Sequence, residues 1–331
     1  MKKLSIIALA AVIMVGIGSL AMAADPVQMR ISHQLPPKHH LSPIIDAFAA
    51  DIETLSENTI DVQVYGADQL FKADENFPAV AKGSIEAALS VNFQWGSTIP
   101  VMNVTLMPYS FTDLDAMEKF ASSPVAQFLN TKLEEKGVKN IAWLFITNTS
   151  IFTSNGKPLV KPEDFKGVKI RGLNKLVDSG LRDLGAAPSA MSGSEVYQAL
   201  QTGVLDAGLT DISAAYSRKY YEVQEFGSVS PFFSVFFHIY VNPTWYDGLT
   251  DAQKGAIAKA SATAEAAAMK ATRESAAAAP EQLREKGMKI HIMTPEEIEA
   301  IKAVTLPAFE KSFTEAAGDD AKKIIDMLNK L

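Results

Sequence analysis

Arg171 is the residue of this chain best suited to hold an anion. It ends the run Gly167-Val-Lys-Ile-Arg171, which reads as a β-strand, and Gly172-Leu-Asn174 follows. A planar guanidinium at a strand end can grip a carboxylate or sulfonate through paired N–H donors. Its surroundings leave it equally readable as a surface arginine beside Lys169. Short polar side chains stand near the ends of other predicted strands: Gln34, Asn92, Asn148, Ser150, Asn174, Thr210 and Ser213. These suit hydroxyl recognition, although Ser, Thr and Asn also populate turns for the sake of their own backbone bonds. Trp95 and Phe93 follow a strand and can wall a pocket or fill a core.

The chemistry on offer is binding, not turnover. The chain has no Gly-x-Ser-x-Gly elbow and no His-Glu-x-x-His motif. Ser154-Asn-Gly-Lys157 has the spacing of a Ser-x-x-Lys pair. That pair needs a helix, and Asn155-Gly156 is a turn signal. His39 and His40 point in different directions on any regular element, with no partner cluster close in sequence. A capping or cleft-rim role is expected for them. No catalytic residue, metal site or cofactor is expected.

The elements that must position these residues come in two similar sets. Ala79-Val-Ala-Lys-Gly83-Ser-Ile-Glu-Ala-Ala-Leu89 matches Ala199-Leu-Gln-Thr-Gly203-Val-Leu-Asp-Ala-Gly-Leu209. Each reads as a helix end, a glycine stop and a short strand. Ser192-Gly-Ser-Glu195 fits a capping box at the start of the second helix. Upstream of the first copy lie a strand at 29–33, a helix at 43–55 and a strand at 59–65. Upstream of the second lie the Arg171 strand and a helix over 173–184. Alternating strands and helices imply an α/β fold, each half a mostly parallel sheet flanked by helices. Ligands of such sheets bind at the carboxyl ends of the strands, which points to 32–35, 90–95, 171–174 and 210–213. Residues 250–287 read as one long alanine-rich helix that Pro280 should kink or divide. A strand at 289–293 and an amphipathic helix opened by Thr294-Pro-Glu-Glu297 follow.

Bulk properties narrow the setting. Lys2-Lys3, an apolar stretch from Leu4 to Leu20 and the Ala21-Met-Ala23 site read as a signal peptide over 1–23. Cleavage would remove two lysines and no acids, moving the net charge from −7 to −9. That acidic balance argues against nucleic acid as a partner, and any anion must be drawn by a local site. The chain has no cysteine, which removes disulfides, thiolate metal sites and a lipid anchor on cysteine. An exported chain of this kind suits the periplasm.

Four stretches also resemble a known family. Asp164-Phe-Lys-Gly-Val-Lys-Ile-Arg171, Leu184-Gly-Ala-Ala-Pro188, Ser194-Glu-Val-Tyr-Gln-Ala-Leu-Gln-Thr-Gly203 and Lys219-Tyr-Tyr-Glu-Val-Gln224 look like DctP-type substrate-binding subunits of TRAP transporters. The resemblance implies a two-lobed periplasmic-binding-protein clamshell with a long helix spanning both lobes. The expected division is 24–148 plus about 236–275 for lobe I, and 149–235 plus about 276–331 for lobe II. It implies delivery of a small organic anion to membrane permease subunits, driven by an ion gradient, with docking at the inner membrane through the permease alone. It places Arg171 on the acidic group of the ligand. Two departures matter: Ser150 stands where many members carry a second arginine, and Thr210 replaces a usual asparagine. One arginine with several hydroxyls suits a compact monoanion, such as the small sulfonates isethionate or taurine. The alternatives are a receptor that feeds a sensor kinase and a periplasmic hydrolase.

Overall fold

A computed structural model describes residues 25–330. The export signal read over 1–23 lies outside them. The first lobe opens with β1 (Val27–His33), α1 (Ser42–Leu55), β2 (Ile60–Tyr65), α2 (Asn76–Ala81) and β3 (Ala87–Val91). After α3 (Leu114–Glu118) and α4 (Pro124–Glu134) comes β4 (Lys139–Thr147), which leads straight into the second lobe. There the chain forms β5 (Ser150–Ser154), β6 (Lys169–Gly172), α5 (Lys175–Asp183) and β7 (Ala187–Ala190). It continues through α6 (Val196–Gln201), β8 (Ala207–Asp211), α7 (Ile212–Ser217) and β9 (Phe226–Ser230). It then returns as β10 (Val235–Val241) and α8 (Pro243–Asp247). The closing elements are α9 (Asp251–Glu285), β11 (Lys289–Ile292), α10 (Pro295–Ala317) and α11 (Asp319–Leu328).

The strands make two sheets, ordered β2-β1-β3-β10-β4 and β11-β9-β5-β8-β6-β7. Each sheet is parallel apart from one strand, β10 in the first and β5 in the second. Those two are the strands laid down just after the chain crosses at 148–149 and at 231–234. These two short segments and the long helix α9 join the lobes of the clamshell. All seven residues of β10 are buried, which fits a continuous apolar run covered on both faces. His238 sits within it, stacked on Trp143 at 5.0 Å. Burial pushes its pKa down to about 3, so the ring stays neutral in the core.

The duplicated pattern is visible in the backbone. α2 and α6 both end at a glycine in the left-handed region, Gly83 and Gly203, each with φ of 73°. A side chain is strained there, which is why both copies stop at glycine. Five-residue strands, β3 and β8, follow them and are wholly buried. The capping box expected at Ser192 is only half present. The Ser192 amide donates to Glu195 Oε2 at 3.2 Å, but the helix itself begins at Val196.

α9 runs for 35 residues, about 50 Å at 1.5 Å per residue. Thr250 caps it, accepting from the Gln253 amide at 3.3 Å. It packs on α1 and β4 in the first lobe, then on α7 and β11 in the second. The helix is not divided at Pro280. Ala279 and Leu283 are buried around that position, so packing holds the last turns despite the lost amide bond. α10 packs on α5, whereas α11 returns to α4 of the first lobe. α11 also packs against α10.

Candidate functional site

A cleft of about 740 Å³ opens between the two sheets. All four strand-end loops named from the sequence contribute to it, through Gln34, Trp95, Arg171 and Thr210 among others. This is the position that strand polarity dictates for ligands of open α/β sheets.

Arg171 lies next to the last residue of β6 and is 3 % exposed. Its Nη1 donates to the Leu209 carbonyl at 2.8 Å. Nε and Nη2 donate to the Met191 carbonyl at 3.4 and 3.3 Å. These bonds use one hydrogen on each nitrogen and leave an N–H free on Nη1 and another on Nη2. Burial pushes the guanidinium pKa down to about 10, so it remains a cation at neutral pH. Among the described residues the arginines in ion pairs are Arg30, Arg273 and Arg284. Arg171 is therefore a buried cation with carbonyl partners and no carboxylate. Such a charge is costly to bury unless something anionic completes it.

A second guanidinium also lines the cleft, and sequence reasoning missed it. Arg218 follows α7 at its C-terminal cap and is half-buried. Gly193 makes room for it, because a Cβ at that position would collide with Arg218 Nη1. The expectation of a single arginine, drawn from Ser150, is thereby corrected. The second cation comes from a helix end instead of a strand end, and no periodic pattern marks a helix-cap side chain as turned inward.

The first lobe contributes polar groups of another kind. Gln34, His39 and Asp68 line the cleft, and Gln34 Oε1, His39 Nε2 and Asp68 Oδ1 are buried without a hydrogen-bond partner. The Leu41 amide donates to His39 Nδ1 at 3.2 Å, so the ring proton of neutral His39 is on Nε2. Burial holds the His39 pKa well below the ordinary histidine value. Trp95, 2 % exposed, lines the cleft from a largely core position, with its ring 5.2 Å from Tyr240.

Five sequence-predicted residues do not line the cleft. Asn92 is spent on the Met102 carbonyl at 2.7 Å and accepts from the Phe236 amide. Ser150 accepts from the Phe233 amide at 3.3 Å, bracing one inter-lobe segment against the start of β5. Asn148 lies in the other segment and donates to the Thr112 carbonyl at 2.9 Å. Asn174 caps α5 and also donates to Phe93 O and Asn103 Oδ1 of the first lobe. Ser213 donates to Asp211 Oδ1 at 2.5 Å and meets His40 Nδ1 at 3.1 Å. Each is a cap, a strap or an inter-lobe contact, the roles that short polar side chains take at element ends. His40 bridges from the first lobe to Ser213 and Thr272, and His39 is buried inside the cleft wall. Among the described residues no cluster of three or more His, Cys, Asp or Glu is placed to hold a metal ion.

Comparison with known proteins places this geometry in context. Residues 31–316 match the family model DctP, bacterial extracellular solute-binding protein, family 7. The C4-dicarboxylate-binding periplasmic protein DctP of Rhodobacter capsulatus is 30% identical over 296 residues, 88% of either chain. A TRAP periplasmic solute binding protein from Rhodoferax ferrireducens with bound malonate superposes with a TM-score of 0.84 at 25% identity, covering 91% of this chain and 97% of that one. A Bordetella pertussis extracytoplasmic solute receptor binding pyroglutamic acid gives a TM-score of 0.86 at 24% identity, covering 92% and 100%.

Proposed function

Because the chain belongs to the DctP family of bacterial extracellular solute-binding proteins, we propose that it is a TRAP-type receptor whose cleft captures a small carboxylate on Arg171. The observation that carries this reading is the buried Arg171 guanidinium, tied to two carbonyls, with an N–H left on each terminal nitrogen. A ligand carboxylate completes that charge and is held in a planar, two-point contact. Thr210, Trp95 and Gln34 line the same cleft and shape the rest of the ligand's surroundings. Arg218 brings a second cation, so the arginine count no longer selects monoanions. The relatives named for their ligands take C4-dicarboxylates, malonate and pyroglutamic acid. They support a carboxylate and lend nothing to the isethionate expectation.

In this reading the protein works in the periplasm, closes on its ligand and passes it to membrane permease subunits. The hinge is built from the 148–149 and 231–234 segments, and closure brings Arg171 of one lobe against the polar wall of the other. No helix among the described residues is long and apolar enough to cross a membrane. A thermal-shift screen of small carboxylates beside isethionate and taurine tests the ligand class. Stabilisation by at least one carboxylate, in proportion to its concentration, is expected by mass action. Stabilisation by the sulfonates alone would restore the sulfonate expectation.

A further inference from the structure

The two walls of the cleft differ in chemistry, and the difference restricts the ligand further. The second lobe presents the cations Arg171 and Arg218, with Asp211 and Glu195 also on its wall, and the first lobe adds Lys72 and Asp74 at the cleft. The first presents three unpartnered polar atoms: Gln34 Oε1, His39 Nε2 and Asp68 Oδ1. All three residues line the first-lobe side of the cleft, and the backbone holds the Asp68 turn beside the Gln34 segment. The Ala67 and Asp68 amides donate to the Leu35 and His33 carbonyls, both at 3.1 Å, which straps the Asp68 turn to the segment beyond β1. Asp68 itself has φ of 59°, a conformation that aspartate tolerates better than most residues. Buried polar atoms of this kind are almost always paired, so three orphans in one wall mark the place of a missing partner.

Asp68 decides what that partner is. An aspartate oxygen accepts hydrogen bonds and repels anions. Burial pushes the Asp68 pKa up, while a hydrogen bond from Ser194 and the nearby Arg218, both of the other lobe, favour its charged form. A second ligand carboxylate drawn to Arg218 would therefore also face Asp68. Building on the Arg171 reading, we propose that Asp68 and His39 form a specificity subsite for a neutral polar group at the far end of the ligand. That group is a hydroxyl or an amide N–H, which donates to Asp68 Oδ1 and offers its oxygen to His39 Nε2–H. The substrate class is a monocarboxylate with a distal hydroxyl or amide, and dicarboxylates of the same length are disfavoured.

The experiment is calorimetry on the whole protein with matched acids of three to six carbons: the ω-hydroxy acid, the unsubstituted acid and the dicarboxylate. Succinamate, with a distal amide, is paired with 4-oxopentanoate, which lacks the N–H. In the wild type, the best hydroxy acid or succinamate is expected to bind about ten-fold or more tighter than its matched acid and dicarboxylate, the loss expected when a buried acceptor is left unpaired. Asp68→Ala should collapse that ratio, and Asp68→Asn should relax the discrimination against dicarboxylates. A dicarboxylate that binds the wild type most tightly would overturn the proposal, as would a ranking unchanged in Asp68→Ala. Those results would leave the Arg171 reading standing, because the subsite is read from ratios between acids. Arg171→Ala is the separate control. If every acid binds it as well as it binds the wild type, or if no acid binds the wild type, the anion reading falls and the subsite falls with it.

Discussion

The Asn174 side-chain amide donates to Asn103 Oδ1 at 2.6 Å, and that bond ties the second lobe to the first. The same asparagine accepts from the Leu176 and Val177 amides as the cap of α5. One residue thus anchors the helix behind Arg171 and holds the lobes together.

Asn174→Asp separates these roles. Aspartate caps a helix as well as asparagine does but has no N–H to donate. The variant turns a donor into a carboxylate facing Asn103 Oδ1 and the Phe93 carbonyl. The denaturant midpoint should change little. Ligand affinity should fall about ten-fold, mainly through faster release, as expected for one lost hydrogen bond of about 1–2 kcal/mol. Small-angle scattering of the liganded variant should show a more open particle than the wild type at equal saturation. Identical release rates would remove Asn174 from the closed state.

Arg218→Gln tests the second cation. The side chain is half-buried and carries no ion pair among the described residues, so folding should survive with a loss under about 1 kcal/mol. Association of an anionic ligand should slow and lose part of its salt dependence, because a cation has been removed from the entrance field. Stopped-flow association at two ionic strengths measures this. Unchanged rates at both would mean that Arg218 does not act on the ligand.

Asp178 should make stability fall as pH rises through the acid range. It is 4 % exposed, and burial pushes its pKa up to about 6 from an ordinary value of 3.8. Between those values the folded state binds more protons than the unfolded state, so this group lowers stability as pH increases and has no further effect above the folded value. The Leu173 amide donates to its Oδ1 at 3.1 Å, an acceptor that Asp178→Asn retains. The variant should be more stable than wild type at pH 7 by on the order of 1–3 kcal/mol, with the gain vanishing near pH 4. Urea midpoints across pH 4–7 check the sign. A gain that grows toward low pH would contradict it.

Fold and site were legible in the sequence to different depths. The duplicated helix-glycine-strand pattern around Gly83 and Gly203 was readable because left-handed glycines and buried strands leave local signals. Arg171 was readable because a strand end fixes where a side chain points. Arg218 was not, since a helix cap gives no hint that its side chain turns inward. Asp68 was not, since a turn residue at positive φ looks like any other turn. Asn92, Asn148, Ser150, Asn174 and Ser213 were drawn toward the site by their polarity. Backbone groups engage Asn92, Asn148, Ser150 and Asn174, and Ser213 is held by the Asp211 and His40 side chains, because groups at element ends outcompete a ligand for short polar side chains.

The most direct test of Arg171 is calorimetry of Arg171→Lys and Arg171→Ala with whichever carboxylate stabilises the wild type most. Lysine keeps the charge but cannot hold two carbonyls and a carboxylate in one plane. Both variants should lose roughly 30-fold or more in affinity, the equivalent of about 2–5 kcal/mol for a desolvated charge pair that loses one partner. The lost bonds to Leu209 and Met191 should also lower the apo denaturant midpoint, by about 1–3 kcal/mol of stability, without preventing folding. A folded Arg171→Lys that binds the acid as tightly as wild type would show that the guanidinium supplies no more than diffuse charge, and would contradict its placement on the ligand carboxylate.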